Sequence, residues 1–280
     1  MTSSAILYVV ATPIGNLGDM VPRAVDILQS VDLIAAEDTR HSVKLMQQFD
    51  IKTPMQAYHD HSGDKMAEKL VDKLRSGKSI ALISDAGTPL VSDPGYRLVD
   101  AAMTAGVQIV PIPGPSALIA ALSAAGLPSD RFIFEGFLAA KQQARCNQLK
   151  AVAKEARTVI FYEAPHRLLA CLADMVAVFG PEREVVIARE ITKTYETIKR
   201  MPVKQLQDWV AADQNQQRGE CVLLVKGYKA NYDEISSEAG ELLALLLTEL
   251  PLKRAAAIVA KITGYKKKPL YQYGLSLESD

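Results

Sequence analysis

Three times in the first 120 residues a short apolar run gives way to a turn rich in glycine, proline and aspartate, and this repeat constrains the fold more than any other feature. The runs are residues 6–11, 79–83 and 108–110; the turns are residues 12–19, 84–95 and 111–117. Strand-length runs followed by helix-like stretches such as residues 96–105 describe β-loop-α units. Open sheets built from such units carry ligands at the carboxyl ends of their strands. Three loops of this kind on one sheet edge would frame a single small-molecule cleft.

The alternation continues around these loops. Strands are expected at residues 6–11, 33–36, 55–58, 79–83 and 108–110, giving a mainly parallel, helix-covered sheet. A second series, at residues 132–134, 158–162, 184–188, 195–198 and 220–225, is separated by helical segments at 149–154, 166–179 and 203–212. Its later strands follow one another closely, which predicts a mixed sheet. The boundary between the two series falls in or just past a helix over residues 116–125. Beyond Gly227 the composition changes: residues 231–249 carry five acids and no bases, and residues 250–273 carry six bases and no acids. There Pro251 starts a helix with Leu252, Ala255, Val259 and Ile262 on one face, and Gly264 stops it. The lysine- and tyrosine-rich element that follows gives the outline of a helix-turn-helix, and its residue types suit phosphate contact and base stacking. The expected organisation is an α/β protein with domains at 1–120 and 121–230 and a small basic helical module at 231–280.

Composition narrows the function classes. The 280-residue chain is 49% hydrophobic, enough for real cores, and its 32 basic residues balance its 32 acidic ones. Any nucleic-acid surface must therefore be local. Cys146, Cys171 and Cys221 lack the spacing of a zinc site or a disulfide framework, so a reducing cytoplasm is expected. No apolar run reaches the roughly 18 residues of a membrane span.

The turns carry their own chemistry. Gly15-Asn16-Leu17-Gly18 lacks the third glycine of a dinucleotide fingerprint, and no P-loop occurs. The loops hold Asp19, Asp85 and Asp93, with no lysine or arginine in their glycine-rich cores, so a polyanion would be poorly served. A neutral or cationic ligand bearing an adenine and a ribose, with a sulfonium resting against oxygens, fits better.

These same residues carry a family resemblance. Ala11-Thr12-Pro13-Ile14-Gly15-Asn16-Leu17-Gly18-Asp19, Ser84-Asp85-Ala86-Gly87-Thr88-Pro89 through Gly95, and Pro113-Gly114-Pro115-Ser116-Ala117 resemble the loops of the tetrapyrrole methylase superfamily. Four further motifs resemble, within it, a branch of ribosomal RNA small-subunit methyltransferases: Ala36-Glu37-Asp38-Thr39-Arg40, Tyr58-His59-Asp60-His61, Tyr162-Glu163-Ala164-Pro165-His166-Arg167 and Ala188-Arg189-Glu190-Ile191-Thr192-Lys193. The resemblance covers essentially the whole chain. It implies a two-domain, homodimeric tetrapyrrole-methylase-like fold that binds S-adenosylmethionine between its domains and methylates the 2′-hydroxyl of a cytidine in 16S ribosomal RNA. Rival readings are a tetrapyrrole methyltransferase and a non-catalytic RNA-binding assembly protein.

Carried over by position, the donor would touch Pro13, Asp85, Ala86, Gly87, Thr88, Val91, Ser116, Ala117, Tyr162 and Glu163. One departure is that the superfamily's Gly-Asp-Pro reads Gly87-Thr88-Pro89 here, which leaves Thr88 or Asp85 to make the aspartate's contact. Candidates for the chemistry are Glu37, Asp38, His59, His61 and Lys193; methyl transfer to a hydroxyl calls for positioning and proton removal and for no metal. Asp38 also suits a helix cap, either histidine equally suits loop packing, and Lys193 equally suits a phosphate anchor. Arg40, Arg167, Arg189, Lys266, Lys267, Lys268 and Tyr271 are the candidates for holding RNA, with Glu190 as an ion-pair partner for Arg189.

Overall fold

The structure is a computed structural model that describes residues 5–59, 64–229, 235 and 237–277. It divides into two compact units, Met1–Tyr228 and Lys229–Asp280. The first unit begins with five parallel strands, β1 (Ile6–Val10), β2 (Leu33–Ala36), β3 (Met55–Ala57), β4 (Ile80–Ile83) and β5 (Gln108–Ile112), in the order β3-β2-β4-β1-β5. Helices α1 (Pro22–Ser30), α2 (Thr39–Gln48), α3 (Asp64–Arg75) and α4 (Tyr96–Thr104) connect them. Every residue of β2 and β4 is buried, as expected of interior parallel strands with both faces covered. One face packs Leu7, Ala35 and Leu82 against α3 and α4, and the other packs Val10, Ile34 and Ile83 against α1 and α2. All five strands point the same way, so the loops after β1, β2, β4 and β5 emerge along one edge.

Strand β5 runs two residues further than expected, through Pro111. Among the described residues it lies at the sheet edge and pairs only with β1, so the missing N–H of Pro111 costs no ladder bond.

Helix α5 (Ala117–Ala124) leads into the second sheet, β6 (Phe132–Phe137), β7 (Thr158–Glu163), β8 (Glu184–Arg189), β9 (Thr197–Pro202) and β10 (Cys221–Val225), in the order β6-β7-β10-β8-β9. β6 and β7 are parallel, and the remaining pairs are antiparallel. Leu118, Ala121 and Leu122 of α5 pack on Ile160, Val186, Ala188, Val222 and Leu224, so this helix lies on the second sheet while its first residues touch the loop after β5. On the opposite face lie α6 (Gln142–Ala151), α7 (Leu168–Phe179) and α8 (Val203–Ala212). Helix α6 begins seven residues before the expected segment at 149–154. Its buried residues are Arg145 and Leu149, and Arg145 is paired at 2.7 Å with buried Asp174, so apolar periodicity could not reveal it. Strand β9 starts at Thr197 and not at residue 195.

The described residues of the second unit form a cluster of three helices, α9 (Ser237–Leu247), α10 (Leu252–Thr263) and α11 (Lys267–Leu277), around Ala239, Leu243, Ala255, Val259 and Leu270. Pro251 and Gly264 bound α10 as expected, with Gly264 in the left-handed conformation at φ 78°. Ile262 is exposed and does not share the buried face of Leu252, Ala255 and Val259. Helix α9 has no counterpart among the expected elements. Among the described residues no helix is long and apolar enough to cross a membrane.

Candidate active site

The three glycine- and proline-rich loops are bonded to one another. The Thr12 N–H donates to the Gly87 carbonyl at 2.9 Å, and the Gly87 N–H donates back to Thr12 at 3.0 Å, joining the first loop to the second. The Thr88 hydroxyl donates to the Pro115 carbonyl at 2.9 Å, joining the second to the third. Gly87 has φ +83°, and a β-carbon on it would stand 3.3 Å from Ile14, so glycine here serves both conformation and close approach. Leu90 and Ser92 also take left-handed conformations, φ 73° and 65°, which are rare for residues with side chains. Loop strain of this kind concentrates at functional sites.

The second sheet supplies the facing wall. The Tyr162 hydroxyl accepts the Leu118 N–H at 3.1 Å, and the rings of Phe134 and Phe137 meet Tyr162 edge-on at 4.8 and 5.4 Å. Burial pushes the Tyr162 phenol up to about 12. Between floor and wall lies a cavity of about 430 Å³, lined by Ala86, Gly87, Thr88, Val91, Ser116 and Ala117 from the loops and by Tyr162 and Glu163 opposite. It also takes in Glu37 and Asp85, so nine of the ten expected donor contacts and one candidate for the chemistry meet here. Pro13 is the exception; its neighbour Ile14 lines the cavity instead.

The polar lining is acidic. The Asp38 N–H donates to Asp85 Oδ1 at 3.1 Å, and the Asp85 N–H donates to Glu37 Oε2 at 3.2 Å, so the carboxylates after β2 and β4 hold each other's backbones. Asp93 completes the group. Burial, together with the nearby charges of Glu37 and Asp85, pushes its carboxyl up to about 6, against the opposing hydrogen bond from Ser84. Glu163 is buried; its Oε1 accepts the Ala164 N–H and an Arg167 N–H, each at 2.8 Å, while Oε2 has no partner.

Several sequence candidates are placed elsewhere. Asp38 caps α2, accepting the Arg40 N–H at 2.8 Å, and both its oxygens bind the Arg40 guanidinium. Those bonds hold its carboxyl well below the usual range, and it does not line the cavity. His59 is exposed and off the cavity wall, and His61 lies outside the described residues. Lys193 Nζ lies 2.9 Å from both Glu190 and Glu220, and its stem rests on Gly15 of the first loop. Burial lowers its pKa, but the two carboxylates more than offset this and leave it raised, so Lys193 is a fixed cation and unsuited to be a base.

Two arginines expected to grip RNA are committed inside the fold. Arg189 is buried and donates to the carbonyls of Arg218 and Tyr195 and to the Thr197 hydroxyl. Its expected partner Glu190 binds Lys193 instead. Arg167 is held by Glu163. Arg40 keeps a 90% exposed side chain, and in the second unit Lys266, Lys267, Lys268 and Tyr271 are exposed as expected.

Lining residues absent from the sequence expectations include Phe137, Ile191, Glu220, Cys221 and Val222. Ile191 sits within a motif already singled out. The β10 residues had no local signal, because only pairing with β7, Cys221 against Glu163, brings them to the cavity.

Comparison with known proteins places this architecture. Residues 6–207 match the family model of tetrapyrrole (corrin/porphyrin) methylases, and residues 233–278 match that of the RsmI C-terminal HTH domain. The ribosomal RNA small subunit methyltransferase I of Pseudomonas aeruginosa is 59% identical over 275 residues, covering 98% of each chain. The chain belongs to the ribosomal RNA small subunit methyltransferase I family, within the tetrapyrrole methylases. The family member from Vibrio cholerae is 58% identical, over 96% of this chain and 94% of that one. In fold the family chain resembles the uroporphyrin-III C-methyltransferase of Thermus thermophilus, whose structure was solved with S-adenosyl homocysteine. The TM-score is 0.54 at 14% identity, covering 79% of this chain and 96% of that one.

Proposed function

We propose that this chain transfers a methyl group from S-adenosylmethionine to the 2′-hydroxyl of a cytidine in 16S ribosomal RNA, acting as a cytoplasmic homodimer. The observation that carries the reading is the mainly apolar cavity, with an acidic polar lining, between three cross-bonded loops and the Tyr162 wall. Its donor set fits such a ligand: Ile14, Val91, Phe137 and Tyr162 offer apolar surface for an adenine, while Glu37, Asp85, Asp93 and the unpartnered Glu163 Oε2 offer acceptors for hydroxyl, amino and cationic groups. Bound there, the donor supplies an electrophilic methyl group on a positively charged sulfur.

The protein's part is to hold and to exclude. Gly87 and Ser116 let backbone approach the ligand, Tyr162 closes the wall, and the low-dielectric cavity strengthens attraction between carboxylates and a cation. Lys253, Arg254, Lys261 and Lys266 to Lys268 supply the phosphate grip, since these six bases lie without an acid within residues 250–273. A tetrapyrrole substrate would have no use for that unit.

The test is mass mapping of 16S ribosomal RNA from cells with and without this protein, followed by treatment of the unmodified small subunits with purified protein and labelled donor. A single cytidine gaining one ribose methyl group is the expected result. Label appearing in a small pigment and not in RNA would overturn the reading.

A further inference from the structure

Transfer to a ribose hydroxyl leaves a proton to be taken, and most side chains near the cavity cannot take it. Asp38 is spent on Arg40 and its own helix, and Lys193 is a cation between two carboxylates. Glu163 is fixed through Oε1 by Arg167 and Ala164, Glu220 is paired with Lys193 at 2.9 Å, and Glu37 and Asp85 each already accept a backbone N–H. Among the described residues, the carboxyl on the wall that remains after these is Asp93. It stands at the end of the strained turn in which Leu90 and Ser92 take left-handed conformations, so three consecutive residues, Val91, Ser92 and Asp93, all reach the cavity. Its polar partner is the Ser84 hydroxyl.

The geometry points to Asp93 as the general base that accepts the 2′-hydroxyl proton during methyl transfer, an assignment that rests on the methyl-transfer reading above. As the oxygen–carbon bond forms, the carbon–sulfur bond breaks and its electron pair stays on sulfur, which becomes a neutral thioether. The hydroxyl proton passes to an Asp93 oxygen and from there to solvent. The charged and titratable groups facing Asp93 are Glu37 after β2, Asp85 after β4 and Tyr162 on β7. Burial, with the two carboxylates adding to it, raises Asp93 to about 6, close to the working pH where a base is most effective, and a bound cation would draw it into its ionised, working form.

The experiment uses the full chain with small ribosomal subunits lacking the modification, saturating labelled donor, and single-turnover measurement from pH 5 to 9. Asp93→Asn should slow transfer by roughly 10²- to 10⁴-fold, the usual contribution of a general base, and should lose the acid limb of the wild-type profile, which the bound cation shifts below the free-protein value of about 6. Asp93→Glu should recover part of the rate. Calorimetry supplies a readout independent of turnover. Wild-type protein should release protons on binding S-adenosylmethionine near pH 6 and Asp93→Asn should not, while S-adenosylhomocysteine affinity changes by less than about threefold. If Asp93→Asn and Asp93→Ser both transfer within about tenfold of wild type with the same acid limb, the assignment is overturned and the methyl-transfer reading stands. If product affinity falls in step with rate, Asp93 is a donor ligand and not the base. If wild-type protein binds donor yet methylates no RNA, the substrate reading fails and takes this role with it.

Discussion

Gly87 sits at φ +83° with both its backbone groups bonded to Thr12, and the floor of the cavity depends on that conformation. Gly87→Val adds about 1–2 kcal/mol of backbone strain and forces Ile14 aside. Ligand at 100 times its dissociation constant stabilises by about 2.7 kcal/mol, roughly 5–10 °C for a unit of this size. The variant should lose that donor-induced rise in melting temperature while keeping its RNA affinity, checked by thermal melts and filter binding. Arg189 makes the opposite case, a charge that looks like a phosphate ligand but serves carbonyls. Arg189→Met should cost about 1.5–3 kcal/mol in urea denaturation, the range for hydrogen bonds to a charged group, without flattening the salt dependence of RNA binding. Asp93 links site and stability. Its folded carboxyl is raised to about 6, so the folded state holds the proton more tightly than the unfolded chain, and stability declines as pH rises from about 4 through 6. Asp93→Asn should therefore be more stable than wild type at pH 8, with the difference closing by about pH 4. A difference independent of pH would contradict this.

At the scale of elements, the C-terminal helices divide their labour by face. α10 buries Ala255, Ala256 and Val259, while Lys253, Arg254 and Lys261 are exposed, and Lys266 to Lys268 are exposed at the start of α11. Like charges there do not favour a helix amino terminus, whose dipole prefers anions, and a phosphate would relieve the cost. Changing Lys266, Lys267 and Lys268 to alanine should lower the slope of log RNA affinity against log salt by about 2–3, since each lost contact releases roughly 0.7–0.9 fewer counterions. Helix content should hold or rise. A wild-type slope in the variant would move the phosphate grip to Arg40 and its surroundings.

For the whole molecule, the separation into two compact units predicts separable functions. A chain ending at Tyr228 retains both sheets and every residue lining the cavity. It should fold, bind S-adenosylmethionine with nearly unchanged affinity by calorimetry, and lose most of its salt-dependent RNA binding. Loss of donor binding in folded, truncated protein would mean that the helical unit completes the cavity.

Local rules were enough for much of this architecture. β2 and α8 fall where hydrophobic spacing puts them, and the Pro251 and Gly264 boundaries of α10 follow from backbone chemistry alone. The three loops likewise declare themselves through glycine, proline and acid content, because those residues act within a few positions of where they stand. What tertiary structure alone decided is the use of each charge. Arg40, Arg167 and Arg189 are alike in sequence, yet one is exposed, one holds a buried carboxylate and one is buried among carbonyls. Helix α6 hides behind a buried ion pair, and Asp93 differs from Asp85 only through neighbours that folding brings to it. Conformational preference is written along the chain, whereas burial and electric field are set by residues far apart in sequence, as Asp38 and Asp85 are at 47 positions, and exist only once the sheets are assembled.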